Sequence, residues 1–327
     1  MKKSILLTLL TCVLSTSAHA SIEQGITAFE NGNLQLAKKI LLQESDTSYQ
    51  KYLYLARIAS ANDKLDDAED YINETIKLNY KDAEVQFIYA DIMAKQAEAA
   101  SIFNLMGYIK KVKKAFTAAV DLAPENIEYR RALIQFHIHA PSMLGGDIDE
   151  ALRYAQDLKR MDVLSGTSAL IQVYGQMENK EKFDEVLKIA MLDFADEPEL
   201  YYQLGLYYQE QESYSEALTY LRKAANMPTS TDEQRNAKYS AIFQVGRTSI
   251  LSGSNFDEGE KAIMQYINEA VIYSSMPSKD WAKFRLANIA EAQGEKSKAM
   301  QLYKDLVQES ADKDLQKQVK NRIKELS

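Results

Sequence analysis

The fold is decided by residues 201–228, which read YYQLGLYYQEQESYSEALTYLRKAANMP. The large and small apolar residues of the first half recur at intervals of three and four, which places them on one face of an α-helix. They are Tyr201, Leu204, Gly205 and Tyr208. The second half repeats this spacing at Tyr214, Ala217, Leu221 and Ala224. Pro228 cannot continue a helix, so the segment predicts a two-helix hairpin that ends near this proline.

The small residues of this hairpin indicate how its two helices pack. Gly205 and Ala217 allow the helix backbones to approach closely, while larger side chains fill the space beside them. A single hairpin of this kind leaves an apolar face in water, and a neighbouring hairpin that stacks on it covers that face. We therefore expect further copies along the chain.

Copies of the pattern recur at intervals of about 34 residues, a period typical of helix-turn-helix repeats. They contain Gly25, Tyr52, Phe87, Arg130, Tyr174, Val245 and Leu286, which makes about eight hairpins with the one at 201–228. Only 12 Gly and 5 Pro occur among 327 residues, which favours helices over strands. The stretch from Asp312 to Leu326 has one apolar stripe on a polar helix, and capping is favoured over binding of a membrane or partner.

The order of aromatic, leucine, small and tyrosine residues on the first helix, with alanine and leucine on the second, resembles the tetratricopeptide (TPR) repeat. The loop at 141–146, the alanine-rich insertion before it and the Gly246-Arg247 pair resemble a group of exported bacterial TPR proteins. The resemblance implies an all-α solenoid of about eight TPR-like hairpins over residues 21–309. A C-terminal capping helix over 310–327 follows it.

In TPR proteins, first-helix side chains that do not pack between hairpins line a concave surface that binds a protein or peptide. The resemblance places seven candidates there: Arg57, Arg130, His137, Tyr202, Phe243, Arg247 and Trp281. Tyr, Trp and Arg are the residue types that most often dominate interface energies. The alternative is that each aromatic simply packs between hairpins. The Lys and Asn residues with which some TPR domains hold a C-terminal carboxylate are absent from the corresponding positions, so that ligand is not implied.

Two hairpins carry insertions, and added segments are where repeat proteins often place extra functions. The third hairpin has an extra segment at 95–106, and the fourth has a long connection at 139–147. Four lysines follow the first insertion: Lys110, Lys111, Lys113 and Lys114. Because this run leads directly into a second helix, a solvated helix face is favoured over a patch that contacts anions.

Residues 1–20 have the three parts of a secretory signal peptide. Two lysines precede a short apolar run, and Ala18 and Ala20 supply small residues at a cleavage site. The sequence predicts cleavage after Ala20 and a periplasmic or secreted protein. Lipidation at Cys12 is the alternative, which the large residues before it disfavour, and cleavage would remove this single cysteine. No later run reaches the roughly 20 apolar residues of a membrane-spanning helix.

Composition and motifs argue against several function classes. The formal net charge of −8 disfavours general binding of nucleic acid or of anionic membranes. His137 and His139 point in different directions on a helix, and no cysteine or nearby acidic pattern completes a metal site. No nucleophile elbow or phosphate-binding loop occurs, so no catalytic, cofactor-binding or metal-binding residue is predicted.

The sequence therefore predicts a non-enzymatic scaffold or adaptor that binds a protein or peptide in its concave groove. Export makes another envelope protein the expected partner. The alternative hypothesis is a structural assembly factor of the cell envelope that self-associates.

Overall fold

A computed structural model describes residues 22–45, 47–272, 276–310 and 312–326. The signal peptide predicted at 1–20 lies outside these residues. The first helix, α1, spans residues 22–30. The next seven are α2 (Leu34–Gln43), α3 (Tyr49–Ala61), α4 (Leu65–Asn79), α5 (Ala83–Ala99), α6 (Ile102–Leu122), α7 (Ile127–His139) and α8 (Ile148–Met161). The remaining nine are α9 (Val163–Gln176), α10 (Lys180–Asp193), α11 (Pro198–Glu210), α12 (Tyr214–Asn226), α13 (Asp232–Ser252), α14 (Phe256–Glu269), α15 (Lys279–Ala292), α16 (Lys296–Glu309) and α17 (Lys313–Leu326).

The helices pack in consecutive pairs, and the described ranges contain no strand. The chain divides between Met161 and Asp162 into two compact units. Unit 1 contains the hairpins from α1 to α8, and unit 2 contains those from α9 to α16 together with α17. In each unit the first helix of a hairpin also contacts the first helix of the next, as α3 contacts α5 and α11 contacts α13. The predicted all-α solenoid class, with about eight TPR-like hairpins, is thereby confirmed.

Glycine sets the distance between the two helices of a hairpin at two repeated positions. A Cβ added to Gly205 would lie 2.5 Å from the side chain of Leu221, and one added to Gly246 would lie 2.3 Å from that of Ile263. Real Cβ atoms do not come this close to neighbouring carbon atoms. The small residues noticed in the sequence therefore mark the points of closest helix approach.

The turn between the two helices of a hairpin has a recurring left-handed residue. Glycine supplies it at Gly32 and Gly294, with φ of 75° and 81°. In three other hairpins an acidic residue takes this conformation: Asp63, Glu178 and Glu212, with φ of 49°, 54° and 55°. A residue with a Cβ is strained in the left-handed region. Asp63, Glu178 and Glu212 are therefore less favourable at these positions than glycine would be.

The two insertions take different forms. Residues 95–106 extend the third hairpin, because α5 continues to Ala99 and α6 begins at Ile102 after a two-residue break. Residues 139–147 form a short 3₁₀ turn, Ser142–Leu144, followed by Gly145 with φ of 101°. A Cβ added to Gly146 would lie only 1.7 Å from the carbonyl oxygen of Ala140, so this loop requires glycine at that position.

The last helix, α17, covers α16 with a narrow apolar stripe. Leu315 and Val319 are fully buried in the cluster that contains Phe284 and Tyr303. Arg322 forms a bidentate ion pair with Glu291, with nitrogen–oxygen distances of 2.6 and 3.0 Å. None of the helices in the described ranges is long and apolar enough to cross a bilayer.

Candidate protein-binding surface

Three of the seven predicted binding residues are buried. Arg130, His137 and Phe243 are 9%, 4% and 5% exposed, so the expectation that they lie open on a surface is wrong for these side chains. The other four are partly exposed: Arg57, Tyr202, Arg247 and Trp281. Whether those four bind a partner stays a prediction.

Arg130 and His137 are covered by the second helix of their own hairpin. Nη2 of Arg130 donates to the carbonyl oxygen of Pro124 at 2.7 Å, and Nη1 lies 3.9 Å from the carboxylate of Asp157 on α8. The ring of His137 stacks on that of Tyr154, also on α8, at a centroid distance of 5.9 Å. Burial lowers the pKa of His137, and the positive charge of Lys113 adds to this effect. Both side chains therefore take part in the packing of α7 against α8.

Phe243 belongs to the core of unit 2. Its ring contacts that of Tyr266 at a centroid distance of 5.3 Å, within a cluster of buried residues from α13, α14 and α15. The alternative of packing between hairpins therefore holds for Phe243.

Arg57 is partly exposed but already has partners inside unit 1. Its guanidinium group lies 4.8 Å from the ring centre of Phe29 and 5.1 Å from that of Tyr54. Its Nη1 atom donates to Glu84 at 2.9 Å. These contacts join α1, α3 and α5, so binding of a partner by Arg57 would compete with the packing of three first helices.

In unit 2, the first helices carry a band of side-chain amides. Gln209 on α11 donates to Thr248 at 2.8 Å and to Gln244 at 3.3 Å, both on α13. Nη1 of Arg247 in turn donates to the side-chain oxygen of Gln209 at 2.8 Å. A second amide contact, at 3.5 Å, joins Gln172 on α9 to Gln203 on α11. Gln209 is buried and its amide is engaged within the fold, whereas Gln203 and Gln244 are partly exposed and carry amides that can both donate and accept.

Two arginines adjoin this band without an acidic partner. Within the described residues, neither Arg247 on α13 nor Arg285 on α15 forms an ion pair with a carboxylate. Arg285 donates from Nη1 to Asn288 at 3.2 Å, while its buried Nε has no hydrogen-bond partner in the part of the chain described. Burial lowers the pKa of Arg285, and the charge of Arg247 lowers it further. The two guanidinium groups therefore repel each other in a partly dehydrated setting.

Trp281 lies one helical turn before Arg285 on α15, on the same face. It is partly exposed and packs edge to face against Phe284, with a centroid distance of 5.7 Å. Arg285 was not among the seven candidates predicted from the sequence, which include Arg247 and Trp281. The four-residue spacing from Trp281 is the signal that could have found it.

We call the group of Gln209, Arg247, Trp281 and Arg285 the arginine surface.

Comparison with known proteins bears on the fold that carries this surface. No protein-family model matches this sequence, and no curated protein is similar enough to count as a relative. A TPR protein from Parabacteroides merdae has a similar structure: 12% identity, 84% of this chain and 99% of that chain covered, and a TM-score of 0.51.

This chain has the tetratricopeptide-repeat fold. The TPR resemblance read from the residues is thus confirmed for the fold. A thermophilic TPR protein from Thermus thermophilus is 14% identical over 69% of this chain and 98% of that chain, with a TM-score of 0.44. Yeast Tom70 is 12% identical over 95% and 96%, with a TM-score of 0.37.

The arginine surface is made by the first helices of three successive TPR-like hairpins, α11, α13 and α15. Its partly exposed side chains are two arginines and an aromatic ring. Among the described residues, no three His, Cys, Asp or Glu side chains lie close enough together to hold a metal ion.

Proposed function

We propose that this TPR protein is a non-enzymatic scaffold, located in the periplasm or secreted, that binds a segment of another envelope protein. The observation that carries the proposal is the pair Arg247 and Arg285, which has no carboxylate partner in the described chain. The signal-peptide pattern of residues 1–20 supports export.

The chemistry of the arginine surface suggests what the bound segment contains. A guanidinium group matches a carboxylate with two parallel hydrogen bonds, so a carboxylate placed between the two arginines would relieve their repulsion. Trp281 supplies an apolar contact within reach of the next side chain, and the partly exposed amide of Gln244 is suited to backbone groups. The proposed ligand is an extended segment with an acidic residue beside an apolar one.

The test is site-specific cross-linking in the native cell envelope. A photoreactive amino acid at Asn288, which contacts Arg285, should capture a partner, and mapping should place an acidic residue of that partner at the cross-link. Changing both Arg247 and Trp281 to Ala should abolish capture while circular dichroism stays helical. The matched control is Arg160→Ala, which removes an arginine that is 74% exposed in unit 1.

Capture that is unaffected by the Arg247 and Trp281 changes would place the binding site elsewhere. A cross-link between two copies of this chain, with concentration-dependent mass in light scattering, would instead support the alternative of a self-associating assembly factor.

A further inference from the structure

The two insertions, which are separated in the sequence, meet in unit 1. The outward face of α6 and the loop at 139–147 together enclose a groove with a volume of about 700 Å³. Met106 and Lys110 line it from α6, and Met143 and Leu144 line it from the loop. Nζ of Lys113 donates to the carbonyl oxygen of Gly145 at 2.9 Å, which fixes one wall against the other. We call this the insertion groove.

The charge of the insertion groove is opposite to that of the whole chain. Lys110, Lys113 and Lys114 all line it, and none of them forms an ion pair with a carboxylate in the described residues. Asp121 is the one acidic side chain among the described lining residues. The fourth lysine of the run, Lys111, pairs with Glu69 at 3.1 Å. Three lysines against one carboxylate give the groove a net positive charge on a chain of net charge −8.

The groove also exposes apolar side chains. Met143 is 79% exposed and Met106 is 38% exposed, and Phe103, one turn before Met106 on α6, is 91% exposed. Methionine side chains adapt their shape to an apolar ligand. Large apolar residues clustered beside unpaired cations are typical of an interaction surface.

The shape of the groove is built into the fold. Gly145 takes a left-handed conformation, and Gly146 touches the backbone of Ala140 where a Cβ would not fit. The amide of Asp147 donates to the carbonyl oxygen of His137 at 3.2 Å, and that of Leu144 donates to Pro141 at 2.8 Å. The loop wall is therefore held in place before any ligand arrives, which lowers the entropic cost of binding.

We propose that the insertion groove is a second docking surface and binds an acidic segment of a partner protein that carries apolar side chains. Charge complementarity identifies the occupant: acidic side chains would pair with Lys110, Lys113 and Lys114, and apolar ones would contact Met106 and Met143. This surface is separate from the arginine surface, because all of its residues belong to unit 1.

An anionic membrane would also attract lysines beside apolar residues, but a segment of protein suits the groove better. The net charge of −8 opposes the approach of the whole chain to an extended anionic surface. A peptide in the groove contacts only the lining residues, where three lysines face one aspartate.

The test uses the purified full chain and a displayed library of random peptides of about twelve residues, long enough to cross the groove when extended. Selected peptides should be enriched in Asp and Glu together with apolar residues. For a synthetic copy of the best peptide, changing Lys110 and Lys114 to Glu should weaken binding about tenfold or more, since two attractive charges become repulsive. Lys113 is kept, because it holds the loop wall through Gly145. Binding to wild type should also weaken as salt is raised.

One further variant tests the apolar contacts of the groove, and another controls for the change in net charge. Changing Met106 and Met143 to Ser should weaken binding several-fold at unchanged charge. The matched control changes Lys317 and Lys320 to Glu, which alters the net charge equally on α17 in unit 2 and should leave binding unchanged. Circular dichroism of each variant checks that it is folded.

Four results would overturn the proposal. They are selected peptides without acidic enrichment, equal loss of binding in the control variant, lysine-dependent binding of phosphatidylglycerol vesicles in place of peptides, and lysine-dependent dimerisation. Because the Arg247 and Trp281 changes should leave these peptides bound, failure here is distinguishable from failure of the proposed function.

Discussion

Replacing Gly246 by alanine tests the close approach of α13 and α14. The new Cβ would lie 2.3 Å from Cγ1 and 2.5 Å from Cδ1 of Ile263, a side chain that is fully buried and has no open space to enter. Overpacking of this severity costs up to about 3 kcal/mol, and alanine regains about 1 kcal/mol of helix propensity over glycine. We therefore expect the free energy of unfolding of unit 2 to fall by about 2 kcal/mol.

A second substitution should remove most of this effect. Ile263→Ala removes both clashing carbons and costs about 2–5 kcal/mol by itself, because it leaves a cavity. On this background the methyl group of Gly246→Ala meets only the carbonyl oxygen of Gly259, at 3.2 Å, among the close contacts. The helix propensity of alanine offsets this tight contact, so the same glycine substitution should then change the stability of unit 2 by less than about 0.5 kcal/mol.

The chain provides a local probe for this experiment. Trp281 is the single tryptophan and lies on α15, which packs against both α13 and α14. Urea unfolding followed by its fluorescence therefore reports on unit 2. Gly107→Ala in α6 is the control, because a Cβ there meets nothing within 4 Å and should leave the Trp281 transition unchanged. Equal effects of Gly246→Ala with and without Ile263 would refute the explanation by close approach.

Three further predictions follow from buried or strained groups. Since burial, then the charge of Lys113, lowers the pKa of His137 below 6.5, the unfolded chain takes up the proton more readily. Stability from this group is therefore present above about pH 6.5 and is lost as the pH falls. His137→Gln should weaken the decline in urea midpoint between about pH 7.5 and 5, followed by circular dichroism, and an unchanged decline would contradict the assignment. Glu212→Gly should stabilise unit 2 by about 0.5–1 kcal/mol by relieving a left-handed residue, whereas Gly294→Ala should destabilise it by about 1 kcal/mol. Trp281 fluorescence measures both, and the same sign for both would refute the strain argument. Leu315→Ala should cost about 2–4 kcal/mol and speed amide exchange in α16, because this buried leucine holds α17 in place. Unchanged exchange would show that α17 does not protect α16.

The fold could be predicted from the sequence because its signal is local and repeated. Gly205 and Gly246 stand at the points of closest helix approach, and their large partners Leu221 and Ile263 lie at the matching positions of the second helices. The same pattern of small and large residues recurs in each repeat. A pattern that is weak in one repeat therefore becomes recognisable when several copies show it. The left-handed turn residue is less visible, since Glu212 stands where glycine would be expected.

The binding residues were harder to predict, because exposure depends on neighbouring helices. The position of a residue within the repeat predicts the side of the helix on which it lies, but not whether another helix covers it. His137 is buried because Tyr154 of α8 covers it. Arg247 and Trp281 are partly exposed on first helices. That Arg285 has no carboxylate partner within the described chain depends on which residues neighbouring helices bring to it, and this the sequence does not state.

The sequence predicts the positions of both insertions, but it does not predict that they lie next to each other in the fold. Met106 and Met143 are separated by a whole helix and a turn, and their proximity depends on how Gly146 bends the loop against Ala140. The lysine run was expected to be a solvated helix face. One of its members, Lys111, pairs with Glu69, while the other three line a groove.

The two arginines without a carboxylate partner have a consequence for the thermodynamics of unit 2. Burial and the charge of Arg247 both disfavour the charged form of Arg285, so unit 2 carries an electrostatic cost while no anion is bound. A ligand that neutralises the two arginines removes this cost, and the free energy recovered contributes to its affinity. Because such a ligand binds the folded unit, it also raises the free energy of unfolding of unit 2. The stability of unit 2 and the occupancy of its surface are thus two measures of one equilibrium.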